Sequence, residues 1–395
     1  MLEQPESATN ATETSPAPTA LTHALSCTQS HALLDASRAS ASQAMPYRGA
    51  MIIASFGDAA EEACAARTGA VVYDLGWRRR VEVAGEDRLR WLNGMVTNSI
   101  ADLPTGASNY NLVLNAQGRI QGDCCIWRGL PDDRLLLEIA EDQFEALHTH
   151  LDRFIIMDDV VLQPLPGWTA LGITGPEAAA LLDRIFASAG GCGQMAPGMW
   201  KQIESRAGLA ATPIPVDLRR ETGRRSQHWN LWCREPDVAA LWQLLREAGA
   251  IPMGCEAVER LRVVEGIPAF GIDFAGDTLP QETAMDDALH FSKGCYLGQE
   301  IVERIRSRGQ VHRHLRPLEI FPEEQAPSAG LELTDANGKP LVRVTSVAPW
   351  NCNGNTQWFA LGMVRAEAEI GSTALRYAGG SARLTTASHP KTQNS

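Results

Sequence analysis

"KGCYLGQE", Lys293 to Glu300, places one of the chain's four lysines two positions ahead of a cysteine, with glycines at 294 and 298 on either side of the thiol. The run that follows, "GQEIVERIRSRG", reads as a helix from about Gly298 to Ser307. Glu300 and Arg304 stand at i,i+4 spacing, and Gly309 suits a left-handed cap. Cys295 then lies just before a helix N-terminus with Lys293 close by, and both features favour thiolate over thiol. Gly294 and Gly298 let the backbone turn sharply or approach a ligand closely. Residue chemistry alone leaves two readings open: a thiol exposed for work, or a small hydrophobe packed in a loop that the glycines shape.

Upstream of this run, the chain from about Ala70 alternates strand and helix patterns. "VVYDL" and "RVEVAG" read as strands, and "EDRLRWLNGMV" sets Leu89, Leu92 and Met95 on one helical face. "YNLVLN" and "RIQGDCCIWR", separated by Ala116-Gln117-Gly118, form a hairpin signal, and "RLLLEIA" follows as a strand. A helix then carries Phe144, Leu147, Leu151, Phe154 and Ile155. A second round repeats the scheme: "WTALGI", a helix opened by Pro176, "HWNLWC", and a helix opened by Pro236 and stopped by Gly249. Two such rounds predict an α+β pair of subdomains sharing sheets. After Arg316 short strands follow one another with Asn-Gly and Gly-Gly turns, the pattern of a small antiparallel barrel. The expected organisation is a disordered extension over 1–45, a two-subdomain region over 46–310, a β barrel over 311–385 and a frayed tail over 386–395.

At 395 residues the chain exceeds the roughly 100–200 expected of one domain. The net charge of −12 argues against a phosphate-neutralising surface, so no direct nucleic-acid partner is expected. No apolar run approaches a membrane span, and the first 45 residues lack the apolar block of a secretory signal, so a cytoplasmic location is expected. The nine cysteines include no Cys-x-x-Cys pair, which predicts reduced thiols and neither a disulfide framework nor a zinc knuckle. The basic run "GWRRR", Gly76 to Arg80, reads as a solvated face. The pairs His148/His150 and His312/His314 read as surface residues, since no carboxylate or thiol stands at ligand spacing. "GGCGQMAPG" lacks the third glycine of a dinucleotide loop, and no Walker-type sequence occurs.

The octapeptide, with "EGIPAFGIDF" (Glu265 to Phe274) and "LPQE" (Leu279 to Glu282) ahead and "RIRSRGQVHRHLRPL" behind, resembles the YgfZ family of folate-binding proteins. That family is related to the aminomethyltransferase, or T-protein, of the glycine cleavage system. The likeness extends through "VYDLGWRRRVEVAGEDRLRWLNGMVTN", "YNLVLNAQGRI" and "LGITGPEAAALL", from about Ala70 to Val347. It implies two interlaced α+β subdomains around a central opening that accepts tetrahydrofolate, plus a C-terminal antiparallel β barrel. It also implies a role in assembly or repair of iron-sulfur clusters, including those of tRNA-thiolating enzymes. The partners would be iron-sulfur client proteins or assembly factors, and Cys295, with Lys293 beside it, would be the working thiol.

By the same resemblance, folate would be held by Asp123, Asn115, Tyr110 and Trp127 and by the motif residues Gly294, Tyr296, Gly298, Gln299 and Glu300. Two departures stand out. Aminomethyltransferases carry two adjacent aspartates after the hairpin glycine, where this chain has Gly122-Asp123. They also carry a Thr-Gly-Glu stretch whose acid holds the pteridine, and the nearest counterpart here is Thr222-Gly223-Arg224. Pteridine orientation then falls to other residues, such as Glu221 or Asp123. Asp123 itself reads equally as a folate acceptor or as a local backbone cap, and Tyr110 and Trp127 as pocket lining or as ordinary strand residues. A folate-dependent aminomethyl- or methyltransferase is the competing function, and a partner-binding scaffold a third.

Overall fold

A computed structural model describes residues 43–129, 134–187, 190–222, 226–309, 311–352, 354–369 and 374–385. Most of the expected extension, the tail after 385 and Arg224 lie outside the described residues, but 43–45 belong to a strand. That strand, β1 (Gln43–Tyr47), forms an antiparallel hairpin with β2 (Ala50–Ser55).

The chain next enters β3 (Val71–Asp74) and β4 (Arg78–Ala84), which belong to different sheets. β4 joins β5 (Ser108–Leu114), β6 (Ile120–Gly129), β7 (Arg134–Ala140) and β8 (Val161–Pro164) in a five-stranded sheet of order β5-β6-β7-β4-β8. β3 instead pairs with β9 (Trp168–Thr174), far along the chain. Its sheet is completed by β10 (Trp200–Glu204), β11 (Pro215–Arg220), β12 (His228–Arg234) and β13 (Ile251–Met253), in the order β10-β11-β12-β9-β3-β13. This exchange of β3 interlaces the two subdomains. Among the described strands of that sheet, only β13 and its neighbour β3 run parallel.

Side chains alternate across each sheet, and the two faces feed different cores. On β6, Cys124 and Ile126 pack with Trp91, Leu92 and Leu147 of helices Arg88–Met95 and Glu141–Asp152. Cys125 and Trp127 point the other way, into a cluster with Tyr73, Trp200 and Trp232 of the six-stranded sheet. The outer face of that second sheet is covered by helices Ala178–Ile185 and Val238–Glu247. The inner faces thus meet in an aromatic layer.

Arg80 is 3% exposed and crosses this layer from β4 to Asp217 on β11, 2.6 Å away, with its guanidinium 4.4 Å from the Trp127 ring and 4.2 Å from Trp232. The basic run is therefore no solvated face. Arg79 takes the opposite face of the strand, toward Glu141, while Arg78 and Arg80 face Glu138 and Asp217. Burial alone would make this layer costly for a guanidinium, and the ion pair with the flanking rings offsets that cost.

From β14 (Arg313–Pro322) the chain closes a barrel with β15 (Glu332–Thr334), β16 (Pro340–Cys352), β17 (Asn355–Arg365), β18 (Leu375–Tyr377) and β19 (Gly380–Leu384), in the order β14-β17-β16-β15-β18-β19. Arg262, on helix Cys255–Glu265, fastens it. Its guanidinium reaches Asp273 (2.6 Å) and Ser346 of β16 (2.9 Å), and Asp273 also accepts from Ser346 (2.6 Å) and Thr345 (2.6 Å). Cys64 is disulfide-bonded, which departs from the expectation of reduced thiols throughout.

Candidate functional site

Where the two inner faces and the barrel meet lies a cavity of about 740 Å³. Its wall draws on Tyr73 and Trp77 around β3, Tyr110 and Asp123 on β5 and β6, Glu138 on β7, and Arg219 on β11. Ile267 and Pro268 come from "EGIPAFGIDF", Gln281 from "LPQE", and His314 to Pro317 from the first barrel strand.

Asp123 accepts from the Tyr110 hydroxyl and from Gln143 Nε2, and its own N–H donates to Gln143 Oε1 (3.0 Å). Burial, with the Asp123 charge and hydrogen bond, raises the Tyr110 phenol well above its ordinary value, so it stays protonated and donating. The neighbouring Gly122 explains why no second carboxylate stands here. A Cβ at that position would lie 2.7 Å from Gln143 Oε1 and 3.0 Å from a Leu147 methyl, so the helix packs where a side chain would go.

Beside Asp123 the wall is charged but internally balanced. Glu138 contacts Arg78 and accepts from Trp232 Nε1 (3.2 Å). Burial opposes its ionisation, yet Arg219 and Arg78 hold the carboxyl below its ordinary value. Glu221 receives Arg78 (3.1 Å) and Asn230 Nδ2 (2.9 Å), so it is already engaged with the protein. Arg219 donates to Cys125 Sγ (2.8 Å), and burial still pushes that thiol up to about 11. The buried polar atoms of wall residues that lack a partner among the described residues include the Trp77 indole N–H and Gln281 Oε1. With Arg219 Nε, also without a hydrogen-bond partner, and the Asp123 carboxylate, the wall carries both donors and acceptors, a mixed set that suits the hydrogen-bonding edges of a pterin.

Tyr110 and Asp123 of the expected folate residues line the cavity. Trp127 is fully buried in the aromatic layer beneath Arg80, and Asn115 caps the β5–β6 turn by accepting from the N–H groups of Gln117 and Arg119, both at 3.0 Å. Neither reaches the wall. Trp77, Glu138 and Arg219 are wall residues that the sequence pattern does not single out, although Trp77 heads the basic run.

The octapeptide lies outside the cavity lining, although Phe291, two residues before it, belongs to the wall. Gly298 is left-handed at φ 80° and starts helix Gln299–Arg308; a Cβ there would sit 2.5 Å from Asn115 O. Asn115 and Gly298 are thus brought together, as backbone packing of the motif against the β5–β6 turn. Tyr296 is buried, Gln299 Oε1 accepts from its N–H (3.2 Å), and Glu300 is exposed. The helix ends at an extended Gly309 (φ −96°) in place of the expected left-handed cap, and Arg306 pairs with Glu303 at i,i+3 spacing (3.3 Å). His150 Nε2 lies 3.1 Å from Leu114 O and His314 Nδ1 3.0 Å from Glu369, so neither is a bare surface residue.

Lys293 Nζ donates to the carbonyls of Val96 (2.6 Å) and Asn98 (2.5 Å), which ties the loop carrying Cys295 to the segment after helix Arg88–Met95. Burial pushes this ammonium down to about 7. Between that value and the ordinary 10.5 the unfolded chain binds the more protons, so Lys293 makes stability rise with pH across that window. In urea melts at neutral pH and near the top of the window, Lys293→Met should flatten this slope relative to wild type; an unchanged slope would show that burial does not weaken the hold of Lys293 on its proton.

Cys295 is the exposed thiol among the free cysteines described, while Cys124, Cys125, Cys192, Cys233 and Cys255 are buried. Of these six, limiting iodoacetamide at neutral pH should modify Cys295 first, by at least about tenfold over the others, because its sulfur is open to the reagent where the other five are buried. Mass-spectrometric mapping checks this. Among the described residues no group of three or more His, Cys, Asp or Glu side chains is placed to hold a metal ion.

The family model described as the GCVT N-terminal domain matches residues 31–293. An aminomethyltransferase of Bacillus mycoides (strain KBAB4) is 27% identical over 277 residues, covering 67% of this chain and 72% of the relative. One of Geobacillus sp. (strain WCH70) is 26% identical over 300 residues, covering 74% and 78%. The crystal structure of the glycine cleavage system aminomethyltransferase T from Bartonella henselae superposes with a TM-score of 0.76 at 18% identity, covering 91% of this chain and 97% of that one, a likeness of fold. The chain belongs to the family defined by the GCVT N-terminal domain.

Proposed function

We propose that this protein binds tetrahydrofolate in the central cavity and serves, as in the YgfZ branch of its family, as an accessory factor for iron-sulfur proteins, with Cys295 as its working thiol. The observation that carries the reading is the separation of two chemistries. A folate-sized cavity holds the Asp123 carboxylate inside, and an exposed thiol stands outside its wall. When bound, folate would supply a one-carbon carrier. Asp123, Trp77 and Gln281 would orient its ring, and the unpartnered Trp77 N–H and Gln281 Oε1 support that fit. Gly122, where aminomethyltransferases have an aspartate, supports an accessory role over transfer chemistry.

The test uses a strain lacking the native gene. Cys295→Ala should retain folate binding and lose rescue of an iron-sulfur enzyme; full rescue would remove the thiol's role. A second reading, a folate-dependent aminomethyltransferase, is favoured by Asp123 on the cavity wall. It would be upheld by glycine-dependent methylene transfer to tetrahydrofolate that Asp123→Ala abolishes and Cys295→Ala leaves alone.

A further inference from the structure

Strands β1 and β2 form a two-stranded sheet of their own, joined to neither main sheet. Their apolar residues make a small separate cluster in which Ala50 and Ile52 pack with Cys255 and Trp77. The hairpin turns on Arg48-Gly49, and both residues have positive φ, 51° and 86°. Such a two-residue turn favours asparagine or glycine at its first position, so Arg48 is held there against its backbone preference.

What holds it is a latch. Arg48 Nε lies 2.8 Å from Asp142 Oδ2 and Nη2 lies 3.2 Å from Oδ1, and the Asp142 N–H donates back to the Arg48 carbonyl (3.2 Å). A Cβ on Gly49 would lie 2.7 Å from Asp142 N, so the tip rests flat on the start of helix Glu141–Asp152. On its other side the Tyr47 hydroxyl donates to Glu259 (3.2 Å). Tyr47 and Arg48 both line the central cavity, and the Arg48 guanidinium sits 5.5 Å over the ring of Trp77, another wall residue.

We propose that the β1–β2 hairpin is a strap across the cavity, latched by Arg48 and Asp142, and that its release admits and discharges the ligand. The inference rests on the cavity being the ligand site, but its test does not need the ligand. The apolar contact beneath the hairpin is a small patch shared with Cys255 and Trp77, so the tip from Tyr47 to Gly49 can lift without global unfolding while β2, with Ile52 and Ile53 buried, stays seated. The Asp142 carboxylate, 35% exposed, keeps the latch weak enough to open.

Cys125 reports the opening, because it lines the cavity and is buried. Cys192 and Cys233 lie in the distant core of the six-stranded sheet, fully buried, and report general loosening. In the full chain, Asp142→Asn removes the carboxylate's charge. Arg48→Asn keeps a residue that tolerates the turn but cannot reach the helix. Each should speed iodoacetamide labelling of Cys125 by about tenfold, with Cys192 and Cys233 unchanged. The double variant should be no faster than either single, as expected for one shared interaction. Unchanged Cys125 labelling in both single variants, or Cys192 and Cys233 rising in step with it, would overturn the strap. Saturating 5-formyltetrahydrofolate should slow Cys125 labelling in the wild type. If it does not, the folate reading fails, while the strap stands or falls by the variants alone.

Discussion

Asp123→Asn should weaken binding of a reduced folate by about tenfold to a hundredfold, the loss expected when a charge-assisted hydrogen bond in a desolvated wall becomes a neutral one. The side chain keeps its shape, so the Tyr110 and Gln143 contacts that seat it can still form, and the fold should survive. Asp123→Ala removes the acceptor altogether and should bring binding near to non-specific levels. Titration followed by the fluorescence of the chain's ten tryptophans reads both variants. Wild-type affinity in Asp123→Ala would show that the carboxylate is only a local brace for the hairpin.

The largest expected effect on stability lies at the barrel junction. Arg262→Met would leave the Asp273 carboxylate, whose side chain is fully buried, without its cation, and the cost of an uncompensated buried charge is about 3–5 kcal/mol. The hydroxyls of Thr345 and Ser346 would still donate to it, which places the expectation toward the lower end. Urea unfolding followed by total tryptophan fluorescence and in the far ultraviolet measures the loss. A change below about 1 kcal/mol would mean that the network is ornament to an interface held by apolar contact.

These two sites also show what the sequence could and could not convey. Strand and helix patterning locates the hairpin β5–β6, the flanking helices and the barrel, because each carries its own period and turn residues. β10 and β13 are not legible in that way. The first is short and half polar, and the second is three residues with a central proline that exist as a strand only through parallel pairing with β3. The site follows the same division. Tyr110 and Asp123 are legible as hairpin residues near a shared end, whereas Trp127 shares a face with Asp123 but lies further along, where the cavity has given way to core. Alternation says which face a residue takes, and only tertiary packing says where on that face the empty space stops.

The basic run carries a signal that composition alone hides. In a strand of period two, Arg78 and Arg80 must share a face opposite Arg79, and two arginines on one face of a strand between apolar runs call for buried partners. Asp217, Glu138 and Glu221 are those partners. For Cys295, the expected exposure is present, but the lysine placed beside it to sharpen the thiolate is engaged with the carbonyls of Val96 and Asn98. Lys293 fixes the loop, and the accessibility of the thiol comes from where that loop is held.

A crystal structure of the full chain with 5-formyltetrahydrofolate tests the central claim most directly. The pterin ring should lie inside the cavity, its polar edge within hydrogen-bond distance of Asp123 and at least one of Trp77 Nε1 and Gln281 Oε1 engaged. A ligand seated elsewhere, or a cavity that stays empty at saturating concentration, would contradict it.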